Sequence, residues 1–153
     1  MFYSYFDRRQ VAIKKLDKNA KTPTYGSEYS AGADLYACTD KDIEIKSGET
    51  VFIPTGLAMQ IPTGLVGLIY ARSGLACKRG LAPANKVGVI DSDYRGEIMV
   101  ALHNHTNAPQ TVAAGERVAQ IVFAPYVPAE FVEQEELTDT VRGTGGFGST
   151  GTK

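Results

Sequence analysis

Apolar residues in this chain fall into short β-favouring runs rather than long helical faces. Val51-Phe-Ile-Pro, Leu57-Ala-Met-Gln-Ile-Pro, Leu65-Val-Gly-Leu-Ile-Tyr, Glu97-Ile-Met-Val-Ala-Leu and Val118-Ala-Gln-Ile-Val-Phe each predict a strand. Ser-Gly (47–48), Pro-Thr-Gly (54–56 and 62–64) and Ala-Gly-Glu (114–116) supply turns between them. That recurrence predicts an all-β sandwich or barrel. Arg72 to Leu81 is the one helical candidate, and its two internal glycines limit it to a short helix. No internal repeat or linker interrupts the pattern.

The tail follows different rules. Glu133-Gln-Glu-Glu reads as solvated surface. Beyond it, Arg142-Gly-Thr-Gly-Gly-Phe-Gly-Ser-Thr-Gly carries five glycines in ten residues. Such composition cannot bury enough apolar surface to fold alone, which predicts a disordered tail. The same glycines let successive N–H groups face an anion, so an arm that orders on a phosphate is the competing reading. Arg142 and the lone Phe147 favour the arm, because a passive linker needs neither.

At 153 residues the chain is expected to form one domain, small enough for oligomerisation to help its stability. A net charge of −1 argues against a general nucleic-acid binder. Positive partners for a polyanion must therefore be local arginines, backbone N–H groups and a metal ion. Cys38 and Cys77 form neither a CxxC nor a zinc spacing, which points to a reduced intracellular, cytoplasmic setting. No stretch reaches transmembrane length and the N-terminus lacks signal-peptide order, so a soluble protein without membrane contact is expected.

Candidate chemistry concentrates in residues 88–97. An apolar strand end, Val89-Ile90, delivers Asp91 into a turn containing Asp93 and Tyr94 and ending at Gly96. A base, a ring platform and close backbone can thus surround one small molecule. Asp91 and Asp93 would share a face if extended, so a turn that splays them is expected. Tyr94 taken alone reads as a core aromatic. Arg72-Ser-Gly-Leu-Ala follows a strand and offers a guanidinium, a hydroxyl and backbone donors suited to phosphate. Arg117 and Gln120, in Gly115-Glu-Arg-Val-Ala-Gln, read equally as strand residues or phosphate contacts. Asp34 can orient a metal-bound water or cap a turn. His103 and His105 lack a third zinc ligand, and the HNH-nuclease lettering lacks a basic surface. A hydrogen-bonded strand end is the expected role for the pair.

Ala31-Gly-Ala-Asp-Leu-Tyr-Ala, Arg72-Ser-Gly-Leu-Ala, Gly88-Val-Ile-Asp-Ser-Asp-Tyr-Arg-Gly, Gly115-Glu-Arg-Val-Ala-Gln and Arg142-Gly-Thr-Gly-Gly-Phe-Gly-Ser-Thr-Gly together resemble the five ordered motifs of trimeric dUTPases. The resemblance runs from about Val11 to the C-terminus. It implies an all-β, distorted jelly-roll-like barrel at 11–141 and a flexible glycine-rich arm at 142–153, assembled as a homotrimer with sites at subunit interfaces. Residues 1–10 lie outside the resemblance and carry no assigned role.

The implied reaction is hydrolysis of dUTP to dUMP and pyrophosphate with Mg²⁺, limiting uracil in DNA and supplying dUMP for thymidylate synthesis. The resemblance makes Asp91 the general base and Asp34 the holder of one of the metal's waters. Arg72, Ser73, Gly74, Gln120 and Arg142 become phosphate contacts. Asn85, Gly88, Val89, Ile90, Met99 and Tyr94 line the nucleoside pocket, and Phe147 stacks on uracil as Gly148 and Ser149 close with the arm. A dCTP deaminase shares the fold but uses a glutamate; the Asp-Ser-Asp-Tyr-Arg-Gly hairpin and the arm favour hydrolysis. A non-catalytic nucleotide-binding regulator would be expected to lack Asp91 or the arm. Lys86, His103 and His105 take no role from the resemblance.

Overall fold

Alternating burial is clearest in Met99–Asn104, where Val100, Leu102 and Asn104 point inward and Met99, Ala101 and His103 outward. A pleated strand imposes that period of two. The structure is a computed structural model and describes residues 8–146. Its elements are β1 (Ala12–Lys15), β2 (Thr24–Tyr25), β3 (Ala33–Tyr36), β4 (Ile43–Ile45), β5 (Thr50–Pro54), β6 (Leu57–Gln60) and β7 (Leu65–Tyr70). There follow α1 (Ser73–Arg79), β8 (Leu81–Pro83), β9 (Gly88–Ile90), β10 (Met99–Asn104), β11 (Gln110–Val112) and β12 (Arg117–Pro125). The five predicted strands all form, as β5, β6, β7, β10 and β12.

The larger sheets run β2-β3-β12-β7-β9 and β5-β10-β8, with β11-β4 and β1-β6 as two-stranded ribbons. The strand pairs are antiparallel, and early strands lie beside late ones: β3 against β12, β5 against β10. The result is a jelly-roll-like all-β fold. One apolar cluster joins the inner faces, with Leu35 and Ile121 from the first sheet and Ile53 and Leu102 from the second fully buried. Each such side chain contributes about 1.5–3 kcal/mol through its removal from water.

The helix is shorter than the 72–81 stretch that predicted it. Gly80 ends it in the left-handed region at φ 62°, its N–H returning to the carbonyls of Ala76 and Leu75. A side chain at Gly80 would also meet Thr106 Cγ2 at 2.4 Å. The turn expected at Asp91–Gly96 forms, and it serves as a corner between sheets rather than as a hairpin. β9 pairs with β7 and β10 with β5 and β8, so the segment passes from one sheet to the other. The inward residues Val100 and Leu102 draw β10 into the second sheet, where β9 does not follow.

Asn104 is the buried polar exception in β10. Its Nδ2 donates to Ile45 O (2.9 Å) and Ala108 O (2.8 Å), and its Oδ1 accepts from Thr106 N (2.9 Å) and Oγ1 (2.8 Å). Asn104→Leu keeps the branched shape, adds bulk in a fully buried position and leaves the buried Ile45 carbonyl without its donor. Chemical denaturation is expected to show a loss of about 2–4 kcal/mol; a change within about 0.5 kcal/mol would contradict this account.

After Pro125 the described residues form no strand or helix, and Val127, Phe131, Val132, Leu137 and Val141 are exposed, Phe131 at 96%. No helix of the described residues is long and apolar enough to cross a membrane.

Candidate active site

Three adjacent strands align the polar half of the site. Gln120 on β12 pairs with Asp34 on β3 and with Tyr70 on β7, so their side chains occupy one row across the sheet. Arg72, immediately before α1, swings back over that row. Its Nε donates to Asp34 Oδ1 at 2.7 Å, and Arg117 NH1 donates to Asp34 Oδ2 at 3.1 Å. Gln120 Nε2 donates to Ala71 O at 2.9 Å, which ties β12 to the turn carrying Arg72. Ser73 and Gly74 open α1 at the rim. Together these groups line an open cavity of about 420 Å³ with Asp34 as its one acidic residue against two arginines. The cavity is polar, donor-rich and positive, which suits phosphate oxygens.

The second cluster has the opposite character. Val89, Ile90, Tyr94 and Met99 form a largely apolar recess of about 300 Å³ with Asp91 and Glu97 at its edge. The turn is closed by Tyr94 N–H donating to Asp91 O at 3.2 Å. Tyr94 Oη donates to Glu97 O at 3.1 Å, and its ring packs over Gly96, where an added Cβ would meet Oη at 2.3 Å. A side chain at 96 would displace that ring. Asp91 and Asp93 are both exposed within the turn. Asn85 sits beside Gly88, its Nδ2 lying 3.4 Å from the point that a Cβ at that glycine would occupy.

Asp91 and the Asp34–Arg72 pair lie toward opposite corners of the five-stranded sheet. Ile90 pairs with Gly67, so Asp91 emerges near the Val66 end of β7, whereas Arg72 follows Tyr70 at its other end. Val66 to Tyr70 spans about 13 Å at ~3.3 Å per residue. Asp34 lies on β3, three strand spacings from β9, or about 14 Å sideways. Arg142 joins neither cluster; its Nε donates to Gly145 O at 2.8 Å. Phe147, Gly148 and Ser149 lie outside the described residues.

Two residues not singled out for the site enter it. Phe52 on β5 is 64% exposed and lines the apolar recess. Alternation carries a signal for it: its neighbour Ile53 is buried, so the aromatic ring turns outward. Arg117, ambiguous in sequence, joins the polar cavity, which local pattern does not reveal.

Among the described residues no three His, Cys, Asp or Glu side chains group as a cation cage. Burial and then nearby Asp17 push the Cys38 thiol pKa up, which opposes thiolate formation. His103 Nδ1 lies 2.8 Å from Thr50 Oγ1, as a hydrogen-bonded strand end would have it. His105 has its pKa lowered, chiefly by burial and then by His103 and Lys86.

A family model for dUTPase matches residues 18–151. The deoxyuridine 5'-triphosphate nucleotidohydrolase of Desulfitobacterium hafniense is 51% identical over 143 residues, covering 93% of this chain and 95% of that protein. The protein of the same name from Pectobacterium carotovorum is 52% identical over 143 residues, covering 93% and 94%. The Staphylococcus bacteriophage 80alpha dUTPase, solved with dUPNHPP, superposes with a TM-score of 0.86 at 27% identity over 94% of this chain and 99% of that one. By sequence and by fold, the chain belongs to the dUTPase family.

Proposed function

We propose that this protein is a dUTP diphosphatase, hydrolysing dUTP to dUMP and pyrophosphate. The observation that carries the reading is the pair of complementary recesses, one cationic and donor-rich, the other largely apolar with the carboxylates of Asp91 and Glu97 at its edge. Asp91 accepts a proton from a water that attacks the α-phosphorus, and the bond from that phosphorus to the β-bridging oxygen breaks. The electron pair leaves with pyrophosphate. Arg72, Ser73, Gly74, Gln120 and Arg142 hold the phosphates and offset the charge that builds on the leaving group. Backbone at Gly88, Val89 and Ile90 reads the uracil edge, beside Asn85 and Met99. Tyr94 packs on the deoxyribose and excludes a 2′-hydroxyl, and Phe147 stacks on the base as Gly148 and Ser149 close.

The substrate is taken as the Mg²⁺ complex. Both Asp34 oxygens already accept from arginines, which suits a metal held by phosphate oxygens and its own waters, with Asp34 receiving one water on a spare lone pair. When bound, the ion neutralises part of the phosphate charge. The dUMP product supplies thymidylate synthesis, and removal of dUTP keeps uracil out of DNA.

We take the complete sites to form between copies in a homotrimer. The separation of the two half-sites across the sheet supports this. So do the apolar residues of 127–141, which stand exposed among the described residues of a single chain.

The test is pyrophosphate release from dUTP, dCTP, dTTP and UTP with Mg²⁺. Release from dUTP at least about a hundredfold faster than from the others is expected. Ammonia from dCTP, or no turnover of dUTP by folded protein, would overturn the assignment.

A further inference from the structure

A seven-residue helix does not hold itself together in water, so α1 depends on what secures its ends. Leu75 is its one buried residue, and Arg72 at its start makes no side-chain cap. On the N-terminal side Gln120 Nε2 donates to Ala71 O, which ties the entry to β12. On the other side Arg79 reaches the turn that opens β12. Its NH1 donates to Glu116 Oε1 and its NH2 to Thr111 O on β11. Both side chains are largely withdrawn from water, at 32% and 25% exposed.

The receiving turn is itself fixed. Glu116 Oε2 accepts from Ala113 N (2.9 Å), Glu116 N donates to Ala113 O (3.0 Å), and Ala114 N donates to Asp42 Oδ1 (3.0 Å). Ala37 holds it from β3, accepting from Gly115 N (2.9 Å) and donating to Glu116 O (2.8 Å). One residue later a β-bulge lets β12 advance two residues against one of β3, which turns Arg117 onto the face of Asp34 and Gln120. Arg79 thus fastens the far end of α1 to the piece of chain that delivers Arg117. The near end of α1 delivers Arg72, and Asp34 receives both guanidiniums. Arg79 itself stands outside the cavity, about 10 Å along the helix from Arg72 at ~1.5 Å per residue.

We propose that Arg79 and Glu116 are positioning residues of the reaction: their ion pair sets the angle of α1, and so where the Arg72 guanidinium stands against Asp34 and β12. This rests on the triphosphate reading of the cavity in the proposed function. Neither side chain touches substrate. Release of the clamp frees the distal end of α1 to pivot, and a shift of about 1 Å in a positioned group can cost about a hundredfold.

Isothermal titration with an uncleavable imido analogue of dUTP, with dUMP and with inorganic tripolyphosphate tests this. Arg79→Ala is expected to weaken the analogue and tripolyphosphate by about 5–30-fold, with dUMP affinity within about twofold of the parent. Arg79→Lys, which keeps the charge without the fork that spans Glu116 and Thr111, is expected to recover part of that loss. In an Arg72→Ala background, Arg79→Ala is expected to add less than about twofold, because the group it aims is gone. A merely structural role would lower the unfolding midpoint of Arg79→Ala and leave all three affinities at parent values. That result, or additive losses in the double variant, would overturn the proposal. Should Arg79→Ala not fold, Arg79→Lys and Glu116→Gln carry the same comparison, and parent-like polyphosphate affinity in both would overturn it. If the parent does not cleave dUTP, the enzymatic reading fails, and tripolyphosphate affinity still decides the clamp.

Discussion

Asp91→Asn is expected to lower kcat for dUTP by about 10²–10⁴-fold, the range for losing general-base assistance. Affinity for the uncleavable analogue is expected to stay within about threefold, since the amide matches the carboxylate in shape. The turn itself is held by the backbone carbonyl of Asp91, which accepts Tyr94 N–H, and asparagine supplies the same carbonyl. Residue 91 is exposed, so unfolding free energy is expected to change by less than about 0.5 kcal/mol. Near-normal turnover would remove Asp91 from the mechanism. A loss of stability matching the loss of rate would reduce it to a structural residue.

Mixing inactive variants should regenerate activity. If Asp91 from one copy acts on phosphates gripped by Arg72 of another, Arg72→Ala and Asp91→Asn chains complement one another in mixed assemblies. Random assortment restores about one quarter of the sites, because each intact site needs the right donor at two places. Each variant alone is expected to lose at least about a hundredfold in kcat/KM. Co-refolded protein should therefore exceed either parent variant by well over about tenfold. Activity no higher than the two separate variants would place Arg72 and Asp91 of one chain in one site, against the separation imposed by β7 and its neighbours.

Much of this architecture is legible in the residues themselves. Leu65–Tyr70 and Arg117–Pro125 read as strands because β-branched and apolar residues dominate them, and strand identity there is a local property. Gly80 at the end of the helical candidate likewise announces a stop. Asp91 and Arg72 stand out only through the ordered set of motifs they belong to, not through their immediate neighbours. The Asp91–Gly96 segment reads as a hairpin yet folds as a corner, because turn composition does not specify which sheets its flanking strands will join. Phe52 reads as one more strand residue, although the partners it packs beside arrive from β9 and β10, far along the chain.

By itself the amino-acid order determined the β character, the punctuation between strands and the likeness to the dUTPase motifs, since each depends on residues within a few positions of one another. Tertiary structure alone decided the sharing of Asp34 between Arg72 and Arg117, the inward turn of Arg117 and the distance between the two recesses. Those depend on register: one extra residue in β12 reverses which face a side chain takes, and pairing between remote strands sets that count.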